Sequence, residues 1–533
     1  MASSTAIDAR PPSSPTHKHN AITTTEEQHP LPERPEDTLR RALSARQVQM
    51  FSFAGVIGTG LFIGTGKALE TGGPGSLLVC YTVVGAIVYL TMLSLGEMAA
   101  YMPISGSFCT FSSRFIDDAF GFTMTWISWF AAPVSMAADL VALQILIKYW
   151  TLDFPGWPVS LAVLVALVAA NLISVRLYGE IEYWLGLLKV VTVVIFMIVG
   201  IVVNAGANTD HHYIGGENWR VPGGPFVGGA GGLASVFVSA SLAYSGTESI
   251  TFTAGETKNP TKTIPRAIKN VFWRVLLFYV VSVLLIGLNI SYLDSRLLNK
   301  EKILRSPFTI ILEMAGARAA GSFINAVIFT SAVSAGNHSI YIGGRLLYTL
   351  AIKGEAPCVF AKLTKNKVPW ASLLATAFVS CLCFASSFVG SGQLWIWLQN
   401  LLGVSGQINW VVIGVLSIRF RAALKVQKKT HLLPFRNWTY PVGPWICVVL
   451  NTFILLVQGW TCFTPKFDAV NFVSFYIQLP VMLLLFVIRK VWKKTRAARI
   501  STMDLDTDAM TISDAEEENP PKDKMERMLN WFF

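Results

Sequence analysis

Four ionisable side chains stand in stretches that are otherwise apolar: Asp139 in "SMAADLVALQILIKYW", Lys189 in "LGLLKVVTVV", Glu248 in "YSGTESITF" and His338 in "SAGNHS". A charge at the centre of a membrane costs about 2.5 to 3.5 kcal/mol on insertion scales, so each such residue has either a partner or a task. Asp139 is a carboxylate for a cationic ligand, or an internal hydrogen-bond partner. Lys189 is a buried strut braced by carbonyls, or the group that takes up and gives back a proton. Glu248 is a gating carboxylate, or one hydrogen-bonded to backbone freed beside it. His338 belongs to the residue type that senses pH, although a lone buried histidine more often serves packing.

The backbone near these charges is equally unusual. "FAGVIGTGLFIGTG" (53–66) puts Gly55, Gly58, Gly60, Gly64 and Gly66 into one of the most apolar stretches of the chain. Glycine costs about 1 kcal/mol against alanine inside a helix. Backbone groups freed in hydrocarbon cost more still unless they face protein or water. Gly60 and Gly64 also have the spacing that lets helices pack closely. A second interruption, "LAYSGTESITFTAGE" (242–256), tips the balance, because it breaks another apolar run with Ser245, Gly246 and Thr247. Two interrupted spans at corresponding places in successive halves predict an inverted-repeat transporter with its site at the midplane. The N–H groups of Gly58, Thr59 and Gly60 then face an anion such as a carboxylate, and carbonyls freed around Ala243 to Ser245 face an ammonium group. A site with both ends suits a zwitterionic α-amino acid.

The elements that must position these groups follow from composition. Of 533 residues 53% are hydrophobic and 14% charged, which predicts an all-α integral membrane protein. Each span needs about 20 largely uncharged residues, and twelve candidates are centred near residues 59, 88, 136, 166, 192, 242, 282, 332, 378, 405, 452 and 480. Turns are expected at "TGGPG" (71–75), "YMPISGS" (101–107), "DFPGWP" (153–158), "ETKNPTKTIPRA" (256–267) and "RNWTYPVGPW" (436–445). Residues 1–47 read as a disordered cytosolic tail without a signal peptide, 48–490 as a twelve-span unit and 491–533 as a second, charged cytosolic tail. The net charge of +11 sits in loops assigned to the inside, such as Arg419 to Arg436 and Arg489 to Arg499. That distribution is positive-inside topology rather than a nucleic-acid surface. The seven cysteines lack ligand-like spacing, and neither a metal site nor a cofactor is expected. No phosphate loop, HExxH or catalytic triad points to an enzyme.

"IGTGLFIGTGKAL", "LGEMAAYMPISGSF", "YGEIEYWLGLLKV", "YSGTESITFTAGETKNPTKTIPRA" and "SAGNHSIYIGGRLLYTL" resemble the fungal amino acid permeases of the amino acid, polyamine and organocation superfamily. The likeness runs from about residue 45 to 490. It implies a LeuT-like five-plus-five fold with broken helices one and six, a plasma-membrane location with both termini cytosolic, and proton-coupled uptake. By the same resemblance Gly58, Thr59 and Gly60 take the substrate carboxylate, and Tyr244, Ser245 and Gly246 its ammonium. Lys189, with Ser331 and Ser334 approaching it, stands where sodium-driven relatives keep an ion, and Glu248 is tied to gating.

The resemblance puts Asp139 where most of these permeases carry Glu, and the shorter acid leaves more room for a cationic side chain. Leu402 stands where several lysine and arginine permeases carry a hydroxyl residue, which weighs against that preference. The expected partners are an amino acid, protons and the lipid bilayer. Lys18, the only lysine before the first span, offers a modification site to ubiquitin-ligase machinery. A polyamine carrier and a non-transporting amino acid sensor are the competing readings.

Overall fold

The computed structural model describes residues 47, 50 and 57–510, except 105, 152–153, 174, 258–259, 299–305, 317 and 464–466. Lys18, most of the first tail and residues 511–533 lie outside the described residues. The described chain is helical: α1 (Thr59–Phe62), α2 (Gly64–Tyr101), α3 (Ser107–Phe115), α4 (Asp118–Ile147), α5 (Trp157–Ile173), α6 (Val175–Asn204), α7 (Gly229–Tyr244), α8 (Pro260–Trp273), α9 (Ser282–Asn289), α10 (Pro307–Met314), α11 (Arg318–Ile352), α12 (Trp370–Ser380), α13 (Ser391–Val426), α14 (Val442–Val457), α15 (Ala469–Tyr476) and α16 (Gln478–Lys493). Each of the twelve expected span centres falls within a helix of this set. Among the described residues six helices are long and apolar enough to cross a membrane alone, or seven when α15 and α16, bent by 45°, count as one.

Helix α2 holds 38 residues, close to twice the roughly 20 that a bilayer needs. It turns at Gly73, whose φ of 76° is open to glycine, just before Pro74. A Cβ at Gly73 would also meet the Pro225 carbonyl at 2.7 Å, so the long glycine-rich loop packs directly over this turn. The "ETKNPTKTIPRA" stretch departs from expectation. From Pro260, a residue preset for the first turn of a helix, it forms helix α8 instead of a turn. The chain then runs through a π-helical stretch, Arg274–Val281, into α9.

Helix α4 packs along α11 and α13, while α2 packs along α7. Large apolar side chains stay exposed on the flanks, among them Phe378, Phe388, Leu484 and Trp492. So many uncovered apolar side chains fit a lipid environment. Glu97, fully buried in α2, receives Arg421 through two bonds of 2.8 and 2.5 Å and the Asn437 N–H at 2.8 Å. A bidentate guanidinium is the strongest neutralisation available to a buried carboxylate.

The segment expected as a free tail from 491 is partly structural. Helix α16 runs to Lys493, and beyond it the chain lies against the helix ends. Ala498 N–H donates to Ile116 at 2.8 Å, and Arg419 donates to the carbonyls of Phe115 and Ala498, each at 2.5 Å. Met510 N–H donates to Tyr101 at 2.9 Å. Asp506 meets Lys429 at 2.5 Å, and Asp508 pairs with Arg114. Met503 and Leu505 are buried, so apolar contact adds to these polar ones. The acids at 504, 506 and 508 carry no sign of their basic partners, Arg114 and Lys429, which come from distant parts of the chain. Replacing Leu505 with Asp removes about 1.5 to 3 kcal/mol of apolar burial. Limited proteolysis should then cut between 494 and 510 faster than in the parent, with the helical circular dichroism unchanged.

Candidate functional site

The second predicted break is present and it meets the start of α1, where Gly58 is irregular but Thr59 and Gly60, expected to be unwound, are helical; residues 51–56 before it lie outside the described residues. Gly58 is extended (φ −132°, ψ −158°), and helix α1 starts directly after it, at Thr59. Helix α7 stops at Tyr244, Ser245 turns the chain out (ψ 145°), and Gly246 takes φ 84°, a conformation that favours glycine. A 3₁₀ stretch, Thr247–Glu256, follows. Where the two broken elements cross, a Cβ on Gly60 would sit 2.9 Å from the Ala243 Cα. Glycine at 60 is therefore a requirement of close approach, the role that sequence spacing left open.

A cavity of about 160 Å³ opens at this crossing. A single water needs only roughly 10 to 15 Å³ on such a measure, so there is room for a small organic molecule. Gly58, Thr59, Gly60, Asp139, Ser245, Gly246 and Glu248 all line it. Residues that sequence reasoning did not single out complete the wall, including Ser128 and Ser135 of α4, Ser249, and Gln399 and Asn409 of α13. These are uncharged, and one polar side chain within an apolar span carries little signal by itself.

The carbonyls freed at the second break are unequally engaged. Leu242 accepts from Ser245 N–H at 3.1 Å, and Ala243 from the Tyr279 hydroxyl at 3.0 Å. Tyr244 accepts from the Thr247 hydroxyl at 2.6 Å. Gly246 accepts from both the N–H and the hydroxyl of Ser249, at 3.0 and 2.5 Å. The Ser245 carbonyl, on the cavity wall, stands outside this set. Tyr244 differs from expectation. It is fully buried, its ring stacks on Tyr279 at 4.2 Å, and its hydroxyl donates to the Tyr81 carbonyl at 3.1 Å. It is a packing residue behind the break rather than a cavity wall.

Asp139 is 5% exposed and accepts from the Thr59 hydroxyl at 3.3 Å, so it borders the first break. Glu248 accepts from Asn409 Nδ2 and Trp410 Nε1, each at 3.0 Å. It is thus braced by α13 side chains as well as standing next to the break. Arg274, buried in the π-helical stretch, donates to Thr247 at 3.0 Å and supports the same turn from behind.

Lys189, Ser331 and Ser334 lie away from the cavity wall. Ser331 donates to the Ile57 carbonyl at 3.0 Å, fixing the chain just before the first break. Ser334 donates to Glu182 at 2.8 Å, and Lys189 is fully buried within electrostatic reach of Glu182 and Asp139. His338 does line the cavity, and it bridges two elements. Its Nδ1 is 2.8 Å from the Tyr178 hydroxyl and its Nε2 is 2.6 Å from that of Ser249.

The family described as amino acid permease matches residues 47–502. A probable amino-acid permease of Schizosaccharomyces pombe is 44% identical, covering 90% of this chain and 97% of its own. The lysine-specific permease of Escherichia coli is 40% identical over 87% of this chain and 96% of its own. The basic amino-acid permease of Saccharomyces cerevisiae is 35% identical over 89% and 85%.

A methyl group at position 60 must push the two breaks apart. Gly60→Ala should therefore weaken ligand binding by the purified protein while it still inserts and purifies normally. Binding measured by isothermal titration calorimetry against the parent protein checks this.

Proposed function

The chain belongs to the amino acid permease family, a family of transporters rather than enzymes, and from that premise we propose that it imports amino acids across the plasma membrane with protons. The reading adds a preference for cationic side chains and a topology of twelve spans over 48–490, built as a five-plus-five repeat with both termini in the cytosol. One observation carries it above the others: a single cavity takes its walls from both helix breaks and from Asp139.

In this reading each end of an α-amino acid has its own partner. The first-turn N–H groups of α1, which follow the extended Gly58, receive the carboxylate. The Ser245 carbonyl receives the ammonium. Asp139 takes a second, side-chain charge, and Leu402 together with Ala131 and Ala132 lines the same cavity with apolar surface suited to a methylene stem. Leu402 is thus compatible with a long cationic substrate even without the hydroxyl. The lysine-specific and basic amino-acid permeases among the relatives support the same class.

Transport proceeds by alternating access. The segments around the two breaks move against α4 and α11, and Glu248 locks or releases its bonds to Asn409 and Trp410 as the inner half of the sixth span moves. Lys189 carries the coupled proton, in place of an ion, behind the first break.

Uptake of labelled lysine, arginine, leucine, proline, glutamate and spermidine should be measured in cells stripped of their own permeases, with and without a protonophore. Protonophore-sensitive accumulation of lysine and arginine is the expected result. Accumulation of spermidine alone, or of nothing by a protein present at the surface, would contradict it. Asp139→Asn removes a charged hydrogen bond worth about 1.5 to 3 kcal/mol, so lysine affinity should fall about ten- to a hundredfold. Neutral substrates should be spared. Lys189→Met should leave uptake that no longer varies with external pH.

A further inference from the structure

Glu182 belongs to none of the roles assigned so far, yet few carboxylates in the molecule are held as firmly. It lies in α6, 1% exposed. Its two oxygens are gripped separately by one face of α11: Oε2 accepts from Ser334 Oγ at 2.8 Å, and Oε1 from Asn337 Nδ2 at 2.7 Å. Asn337 is oriented in turn, because its Oδ1 accepts from Asn171 Nδ2 of α5 at 2.7 Å. Three helices therefore fix one buried charge, and these bonds are short enough to be strong.

Lys189 follows on the same helix seven residues later, which is two turns and so the same face. Among the described residues, Glu182 and Asp139 are carboxylates within electrostatic reach of it. The two differ in a way that matters. Glu182 is clamped to the packed helices, whereas Asp139 stands at the cavity wall with one long contact, 3.3 Å, to Thr59. Without a fixed counter-charge, the ammonium of Lys189 would draw on Asp139, the same carboxylate that a cationic substrate needs.

We propose that Glu182 is a positioning residue of the transport cycle: clamped by Ser334, Asn337 and Asn171, it is the permanent counter-charge of Lys189, and it leaves Asp139 for the substrate. The inference rests on the reading of Lys189 as the proton-carrying group. The titratable groups facing the pair are Asp139 from α4, His338 from α11 and Tyr178 on α6 itself. His338 is engaged between Tyr178 and Ser249, so it is not the compensating charge. With Glu182 in place, the proton on Lys189 Nζ leaves and returns while Asp139 stays available. With Glu182 neutral, Lys189 and a substrate cation compete for Asp139.

Glu182→Gln is a clean substitution. The Gln amide oxygen still accepts from Asn337 and its NH₂ can donate to the Ser334 hydroxyl, so the clamp survives and only the charge is lost. The full-length protein should be reconstituted in proteoliposomes, where proton-driven lysine accumulation, lysine counterflow exchange and the pH profile of uptake are read in parallel. In the Gln variant we expect loss of the proton-driven accumulation and of its pH dependence, a raised KM for lysine with that for leucine unchanged, and exchange retained. Glu182→Asp should restore part of the pH dependence.

Accumulation and pH profile equal to the parent in the Gln variant would overturn the proposal. So would loss of exchange in both the Gln and the Asp variant, which marks a purely structural role. If the parent protein itself accumulates lysine regardless of the proton gradient, the proton-coupling reading fails first, and that outcome is visible in the parent alone.

Discussion

Backbone hydrogen bonds that a helix would satisfy must be satisfied some other way wherever the helix is broken inside a low-dielectric interior. Most of what surrounds the cavity answers that constraint. The Tyr279 hydroxyl, the Thr247 hydroxyl and the Ser249 side chain each take a carbonyl of the second break, and Ser331 takes the Ile57 carbonyl before the first. Arg274 then holds Thr247, and His338 holds Ser249. The supporting residues come from the π-helical stretch and from α11, so the irregular backbone is bound to regular helices on every side described. The first-turn N–H groups of α1 and the Ser245 carbonyl, to which we assign the two ends of the substrate, lie at the centre of this framework.

The buried charges obey a related rule. Each is paired or held by several polar atoms: Glu97 by Arg421 and Asn437, Glu248 by Asn409 and Trp410, Glu182 by Ser334 and Asn337. Asp139 is the loosest of the set. Breaking a well-bonded buried charge costs several kcal/mol, so a carboxylate meant to exchange partners during a cycle should be held weakly. The long Thr59 contact fits that demand.

The breaks at Gly58 and at Ser245 to Gly246 were legible in the sequence because glycine, serine and threonine contrast with apolar neighbours at places where a helix gains nothing from them. Asp139, Lys189 and Glu248 were legible for the same reason, as ions in apolar runs. Glu182 was hidden: it shares "YGEIEYW" with Glu180, near the start of its helix, where acids are ordinary. Its buried partner residues lie more than 150 positions away for Ser334 and Asn337. The burial of the Tyr244 ring was not legible, because its motif position fixes the break but not where the ring points, and that depends on stacking with Tyr279. The strap over 498–510 gave no periodic signal, since its buried side chains are few and its partners, the ionic Arg114 and Lys429 and the carbonyl-binding Arg419, lie elsewhere in the chain.

The central claim is that one amino acid spans the two breaks with its side chain toward Asp139. A structure of the protein with lysine bound tests it most directly. The account predicts the α-carboxylate at the N–H groups of Thr59 and Gly60, the α-ammonium on the Ser245 carbonyl and the ε-ammonium within hydrogen-bond reach of Asp139. Lysine seated with its side chain away from Asp139, or with its ammonium on another carbonyl of the break, would contradict it.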